Sequence, residues 1–255
     1  SVTMKYLASM LSAMLHGHGA CWLKHVNVHH PYFGTKRDRQ SAFLRHNVYL
    51  FALDVFVDSL APSKSVPIGA TILLNLLSLA SIALAYALLG VNGLVLWLIV
   101  SYAVLLGGTV PGTIHHFGIY RSRRVSRHAH YSMDNEKAHA SNGEEAFVED
   151  FHSHHHILNG ELIQSTIAKP YVSPLSIDYE LAGKYLLFSP ERYLRLNHKN
   201  FMRFASELAT EEELELMKVD LLHLEKKHKT KKKGYWAENL PHILSVVDLR
   251  LSASG

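Results

Sequence analysis

The sequence predicts an all-α integral membrane protein: a transmembrane helical hairpin under a cytoplasmic histidine-rich cap, followed by a helical soluble C-terminal region. Three observations carry that expectation. From Ser65 to Ile114, fifty residues contain no Asp, Glu, Lys, Arg or His. Gly90-Val91-Asn92-Gly93 interrupts the run near its middle. Histidines, 19 in all, cluster on both sides of it, most densely at His25–His30 and His152–His156.

A single helix of fifty residues would run about 75 Å, far past a hydrocarbon core of roughly 30 Å. Broken at the Gly90–Gly93 stretch, the run becomes two spans, near 67–89 and 94–112, joined by a tight turn. Soluble core helices rarely lack every charge over such a length, which argues against a buried core. A hairpin returns the chain to the side it left, so both histidine clusters face the same aqueous side. Lys36, Arg37, Arg39 and Arg45 precede the hairpin, and Arg121, Arg123, Arg124 and Arg127 follow it. The positive-inside rule makes that side cytoplasmic.

Bulk composition is ordinary, with 19% charged residues and a formal charge of +4, and nothing points to nucleic acid. The single cysteine, Cys21, excludes an internal disulfide framework and any site built from several thiolates. No phosphate-binding glycine loop and no Ser/His/Asp arrangement is present. The chain opens Ser-Val-Thr with no secretory signal, and a native segment is expected upstream.

Taken in order, residues 4–15 form an apolar run too short to span a bilayer, as at the tail of a longer helix. His16 and His18 flank Gly17, fit no helical pair and read as loop residues. The stretch from Ser41 to Leu60 mixes apolar and charged positions, as an amphipathic helix at a membrane interface does. Residues 1–168 are assigned to a membrane domain and 169–255 to a helical C-terminal extension. In the extension Thr210 and Glu213 match a capping box, and Leu214, Met217, Leu221 and Leu224 repeat along one face. Lys226–Lys233 is a basic run suited to solvent or to anionic lipid.

The histidines carry the chemistry. His152-Ser153-His154-His155-His156 is no packing solution, because unpaired imidazoles are costly to bury and adjacent imidazolium charges repel. On a helix His152, His155 and His156 share a face while His154 points elsewhere. His25 and His29 are one turn apart, His30 lies about 100° round from His29, and Pro31 should end that helix. Converging neutral imidazoles suit a first-row transition metal. Read alone, each cluster is equally a surface tract or a zinc loop.

Together the clusters resemble the histidine boxes of the membrane-bound fatty acid desaturase/hydroxylase superfamily, non-haem diiron enzymes. The alkane/xylene monooxygenase branch is most similar in motif form. Its HxxxHH box is matched by His25-Val-Asn-Val-His29-His30, and its Glu-His-Tyr-Gly-Leu motif by His115-His116-Phe117-Gly118-Ile119. Its His-Ser-Asp-His-His box is matched by His152-Ser-His-His155-His156. The likeness covers roughly residues 20–165. Carried over residue by residue, it implies the ligand set His25, His29, His30, His116, His152, His155 and His156. The first box, of His-Glu-x-x-His type, falls at or before Ser1, and His115 stands where the branch has Glu. The stretch from His29 to Asp38 is also similar to acyl-chain desaturases.

The resemblance implies two Fe ions, O2 as oxidant, and desaturation or hydroxylation of a lipid acyl or alkyl chain. One cysteine and no haem-binding HPGG imply an external electron donor of ferredoxin, rubredoxin or cytochrome b5 type. Two other readings stand beside it: a catalytically incomplete member of the superfamily, and a fragment of a His-rich metal transporter. The transporter is disfavoured because the charge-free run offers only Asn75, Asn92 and hydroxyls as polar groups.

Overall fold

A computed structural model describes residues 2–122, 132–136, 173–228 and 233–254, and these are mostly α-helical. Helix α1 (Val2–His16) turns at Gly17 and His18 and returns as α2 (Gly19–Lys24). The turn is tight: a Cβ on Gly19 would lie 2.2 Å from the Ser9 carbonyl oxygen, and Gly17 takes a φ of +80°. Glycine at both places is what lets α2 lie on α1. The apolar run at 4–15 is thus one arm of a helical pair.

A π-helical turn, His25–His29, leads into the short α3 (His30–Tyr32). The sequence places the helix end at Pro31, but Pro31 sits in the first turn of α3 and the chain leaves the helix at Phe33, with ψ 148°. Proline holds φ near −65°, a helical value, so one more helical residue follows it before the chain turns out. Helix α4 covers Val48–Leu60, shorter than the expected 41–60. Asn47 sets its start, its side-chain oxygen accepting from Leu50 N at 3.1 Å.

The charge-free run becomes α5 (Ile68–His116), helical except at Gly90, where φ is 62° and ψ −145°. The chain folds back at that residue. Trp97 Nε1 donates to Ser81 Oγ at 2.7 Å, and a Cβ on Gly93 would stand 2.1 Å from the Ala85 carbonyl oxygen. Both pairs are centred on position 89, so residues on either side of the reversal lie side by side, as in two antiparallel arms. The reversal uses one residue rather than the stretch Gly90–Gly93, because glycine reaches a backbone conformation closed to other residues. The second arm consequently starts at Val91 and continues past 112, placing His115 and His116 in its last turn. Only 6% of the most apolar window of α5 is buried. Among the described residues it is the one helix long and apolar enough to cross a membrane.

The α1–α2 pair lies against both arms. Gly17 abuts the Trp97 ring, and its carbonyl accepts from Ser78 Oγ at 3.2 Å. The Lys24–Asp58 ion pair, at 3.1 Å, ties α2 to α4.

Strand β1 (Met133–Asn135) pairs in parallel with β2 (Leu175–Ile177). Helices α6 (Tyr179–Phe188) and α7 (Pro190–Arg203), a π-helical turn (Phe204–Leu208), α8 (Glu211–His228) and α9 (Tyr235–Ser254) follow. They cover the open end of the hairpin in one core that includes Phe33, Ile114, Phe117, Phe201 and Trp236. Tyr193 Oη donates to the Thr113 carbonyl at 3.2 Å, joining α7 to the last turns of α5.

The capping box at α8 forms as the sequence specifies. Thr210 N donates to Glu213 Oε2 at 3.0 Å, Glu213 N donates to Thr210 Oγ1 at 3.3 Å, and Leu214, Met217 and Leu221 are buried. Thr210→Ala should therefore lower stability by about 1 kcal/mol, read as a lower unfolding midpoint in detergent. An unchanged midpoint would mean that packing alone holds the start of α8.

Candidate metal centre

The π-helical turn brings three histidines to one side. His30 N–H bonds to the His25 carbonyl, five residues back. In an α-helix of about 100° per residue, His30 would stand about 140° from His25. In a π-turn, residues four and five apart straddle a common direction instead. The His25 ring centroid accordingly lies 4.8 Å from that of His29 and 4.8 Å from that of His30. From the end of α5, His116 comes within 4.9 Å of His29. Two imidazoles sharing an ion at bonds of about 2.0–2.1 Å have ring centroids roughly 4.5–5.1 Å apart at octahedral to tetrahedral angles. These three separations lie in that range, whereas His29 and His30 stand 6.2 Å apart and so would not share one ion at such angles.

Hydrogen bonds set which nitrogen each ring presents. His29 Nδ1 meets Asp38 Oδ2 at 2.7 Å. A carboxylate accepts, so Nδ1 carries a proton, and Nε2 is the nitrogen left to face an ion. His25 Nδ1 meets Gln40 Oε1 at 3.1 Å. The amide orientation is fixed by its other end, since Gln40 Nε2 donates to the Cys21 carbonyl at 3.2 Å. His25 therefore also presents Nε2.

Asp38 is 1% exposed. Burial pushes its carboxyl up, but the charge and hydrogen bond of His29, with donors from Ser41 Oγ and Gln40 N, hold it below the usual carboxylate range. An ionised Asp38 behind His29 makes that ring a stronger donor to a cation. Asp38→Asn should lower metal affinity by about 10–100-fold, measured by competition with a chelator. Equal affinity in the variant would restrict Asp38 to shaping its loop.

That loop is stapled to the segment after α5. Arg121 N donates to the Gly34 carbonyl at 2.8 Å, and Gly118 N to the Phe43 carbonyl at 2.7 Å. Phe43 takes a φ of 48°, the one positive value outside glycine among the described residues. Such a conformation persists where surrounding bonds over-determine it. Gly34 N donates to Ser41 Oγ at 2.6 Å, and that hydroxyl donates onward to Asp38 Oδ2 at 2.6 Å. The staples hold Asp38 and His29 in place against His116.

Of the seven histidines carried over, His25, His29, His30 and His116 come together here. His152, His155 and His156, with His154, lie outside the described residues. Of the neighbouring pair, His116 faces His29, while the His115 ring lies 4.8 Å from Tyr179. His16 and His18 pair with each other at 5.3 Å, and His18 bonds Ser101. His198 bonds the Tyr235 hydroxyl at 2.9 Å, in the C-terminal helices. Among the described residues no group of three or more His, Cys, Asp or Glu is disposed to hold an ion by itself.

The spacing and the donor set, imidazoles turned to offer Nε2 with one backed by a buried carboxylate, fit part of a metal site. Asp38 and Gln40 escape a histidine-by-histidine reading. Their signal is position, a carboxylate and an amide nine and ten residues past His29 and His30 in a loop that returns to them. Compared with protein families, curated proteins and solved structures, the chain matches none.

Proposed function

We propose that this chain is a membrane-embedded, histidine-ligated diiron oxidoreductase that desaturates or hydroxylates a lipid acyl or alkyl chain. The observation that carries the reading is His29, backed by buried Asp38, in a four-ring cluster at the end of a long, outward-facing apolar helix. A soluble metal-binding protein has no use for that apolar exterior.

The membrane part of the proposal has support beyond α5. Leu7, Met10, Leu11, Met14 and Leu15 of α1 are exposed, and so are Leu50, Leu53, Val57 and Leu60 of α4. On α4 these recur at three- and four-residue intervals, as on a helix lying in the interface. The two arms of α5 would cross the bilayer, and the histidine cluster would sit at its cytoplasmic surface beside Arg37, Arg39 and Arg45.

The chain's own residues would hold, orient and shield. His25, His29, His30 and His116, with His152, His155 and His156, would hold the irons, and Asp38 and Gln40 would fix two of the rings. Phe33, 4.5 Å from His116, would keep water from that side of the centre. When bound, the iron pair would supply reduction of dioxygen and removal of hydrogen from an unactivated CH2. An acyl or alkyl tail would reach the cluster from the lipid, and an external donor would deliver electrons from the cytoplasmic face.

The test is metal analysis and turnover on the purified membrane protein. Iron should be retained through purification, and an acyl or alkyl chain supplied with reductant and a donor should gain a double bond or a hydroxyl. Chelation should abolish both, and iron(II), not zinc(II), should restore them. Retention of zinc with no oxidation of any chain would remove the oxidase reading. Cysteine labelling in a Cys21→Ser background should place positions 36 and 122 on one side of the membrane. Labelling from opposite sides would remove the hairpin topology.

A further inference from the structure

A cleft of about 370 Å³ lies beside the four-ring cluster, lined by Val28, Arg37, Ser63, Lys64 and Ser65. Val28 belongs to the π-helical turn that carries His25 and His29. Ser63, Lys64 and Ser65 come from the link between α4 and α5, a turn closed by Val66 N donating to the Ser63 carbonyl at 3.2 Å. Val66 is buried and anchors that turn, and α5 begins two residues on, at Ile68. In the proposed topology the cleft would therefore lie at the bilayer surface, level with lipid phosphates.

The charge in the cleft is unbalanced. Elsewhere in this half of the chain Lys24 and Arg39 meet Asp58, and Arg45 meets Asp54. Arg37 and Lys64 have no carboxylate partner among the described residues. The Arg37 guanidinium is nevertheless held in place. It donates to Ser65 Oγ at 2.7 Å and lies 4.0 Å above the Tyr32 ring. Its other N–H groups stay available in a fixed, planar fork. The Ser63 hydroxyl is buried with no hydrogen-bond partner among the described residues, a costly state that an acceptor from outside would relieve.

We propose that this cleft binds a phosphate monoester, gripped by the Arg37 fork, the Lys64 ammonium and the Ser63 hydroxyl. A monoester carries a charge of about −1.5 to −2 at pH 7, which two unpaired cations balance. A carboxylate carries one charge and fills one fork, leaving Lys64 unanswered. The oxygens of a phosphate point in several directions, so a guanidinium, an ammonium and a hydroxyl can each meet one. The cleft has the size usual for a small ligand, so room remains for the carbons behind the ester. Such a phosphate comes from a lipid head group or from solution, and the place of the cleft at the start of α5 favours the lipid. The proposal rests on the charge and shape of the cleft and is independent of iron.

The full chain in phosphate-free detergent is titrated calorimetrically with dihexanoyl phosphatidate below its micelle concentration. Binding should saturate at one per chain, and Arg37→Gln should weaken it about tenfold or more, as loss of a charge-assisted hydrogen bond does. Lys64→Gln should do the same, and because its ammonium makes no bond within the described residues its loss cannot disturb the fold. Lys36→Gln removes an equal charge outside the cleft and should change affinity less than twofold. Dihexanoyl phosphatidylglycerol, a diester, should bind about tenfold more weakly than phosphatidate. Inorganic phosphate separates the sources: much weaker binding than phosphatidate assigns the cleft to a lipid head group, and equal binding assigns it to a soluble phosphate. Three results would overturn the proposal. One is the absence of saturable binding by both phosphatidate and inorganic phosphate. Another is an equal loss in Lys36→Gln, which would reduce the effect to general surface charge. The third is equal affinity for the diester or for acetate.

Discussion

On the proposed diiron reading, replacing His29 with alanine is expected to strip the protein of bound iron and, with it, of lipid oxidation. The substitution takes away the ring that touches both His25 and His116, with centroids 4.8 and 4.9 Å away. It also leaves the Asp38 carboxylate buried without its strongest partner, a cost of about 3–5 kcal/mol when one member of a buried pair is removed. The loss should therefore appear twice. Iron retained through purification should fall below about one-tenth of the parent value, since losing only an outer-shell partner costs about 10–100-fold. The unfolding midpoint should drop as well. Pairing His29→Ala with Asp38→Ala should recover part of the stability and none of the iron, because the orphaned charge goes while the missing ligand stays missing. If His29→Ala kept its iron and its turnover, the four-ring cluster would not be the metal centre.

The second large effect is mechanical. Gly93→Ala places a Cβ 2.1 Å from the carbonyl oxygen of Ala85, a backbone atom of the facing arm that cannot swing aside. The two arms of α5 must then separate along their closest approach. Overpacking against backbone stands at the upper end of the usual range, about 3 kcal/mol or more. A cysteine pair at positions 81 and 97, where the Trp97 indole reaches Ser81, should be bridged by a short bifunctional thiol reagent faster in the Cys21→Ser parent than in Gly93→Ala. Gly107→Ala is the matched control, because its Cβ would meet nothing within 4 Å. It should be neutral or slightly stabilising. Equal cross-linking in both glycine variants would show that the arms do not touch at Gly93.

What could be read from the residues was what depends on periodicity and charge. The uncharged run announces α5, and a glycine near its middle announces the fold-back. HxxxHH brings His25 and His29 close on either kind of helix, and Thr210 with Glu213 fixes the start of α8. What stayed hidden depends on backbone choices that carry no letter code. Nothing in His-Val-Asn-Val-His-His says whether the turn is α or π, yet the π form sets His30 beside His25. Gly90, Asn92 and Gly93 all suit a turn, and only the structure shows that Gly90 suffices and that Gly93 serves the contact between arms. Asp38 hides among Lys36, Arg37 and Arg39, so the segment reads as basic although its one acid is the buried partner of His29. The fold-back of α2 on α1 hides for the same reason, since His-Gly-His-Gly looks like a loop until the Ser9 carbonyl is seen against Gly19.

The single-residue reversal at Gly90 bears on how such a protein is made. Helical pairs with a hydrophilic connection must drag that connection through the insertion machinery to the far side. Here no charged group exists between Ser65 and Ile114, and only Gly90 departs from helical geometry. Nearly every backbone amide and carbonyl in the stretch is already satisfied within its own helix as it leaves the ribosome. In the proposed topology the two arms would enter as one folded wedge, with almost no polar mass to translocate. This hairpin would leave the opposite compartment little to glycosylate, cleave or bind. A foreign epitope placed at Gly90 would be a polar load that the hairpin otherwise spares its biogenesis.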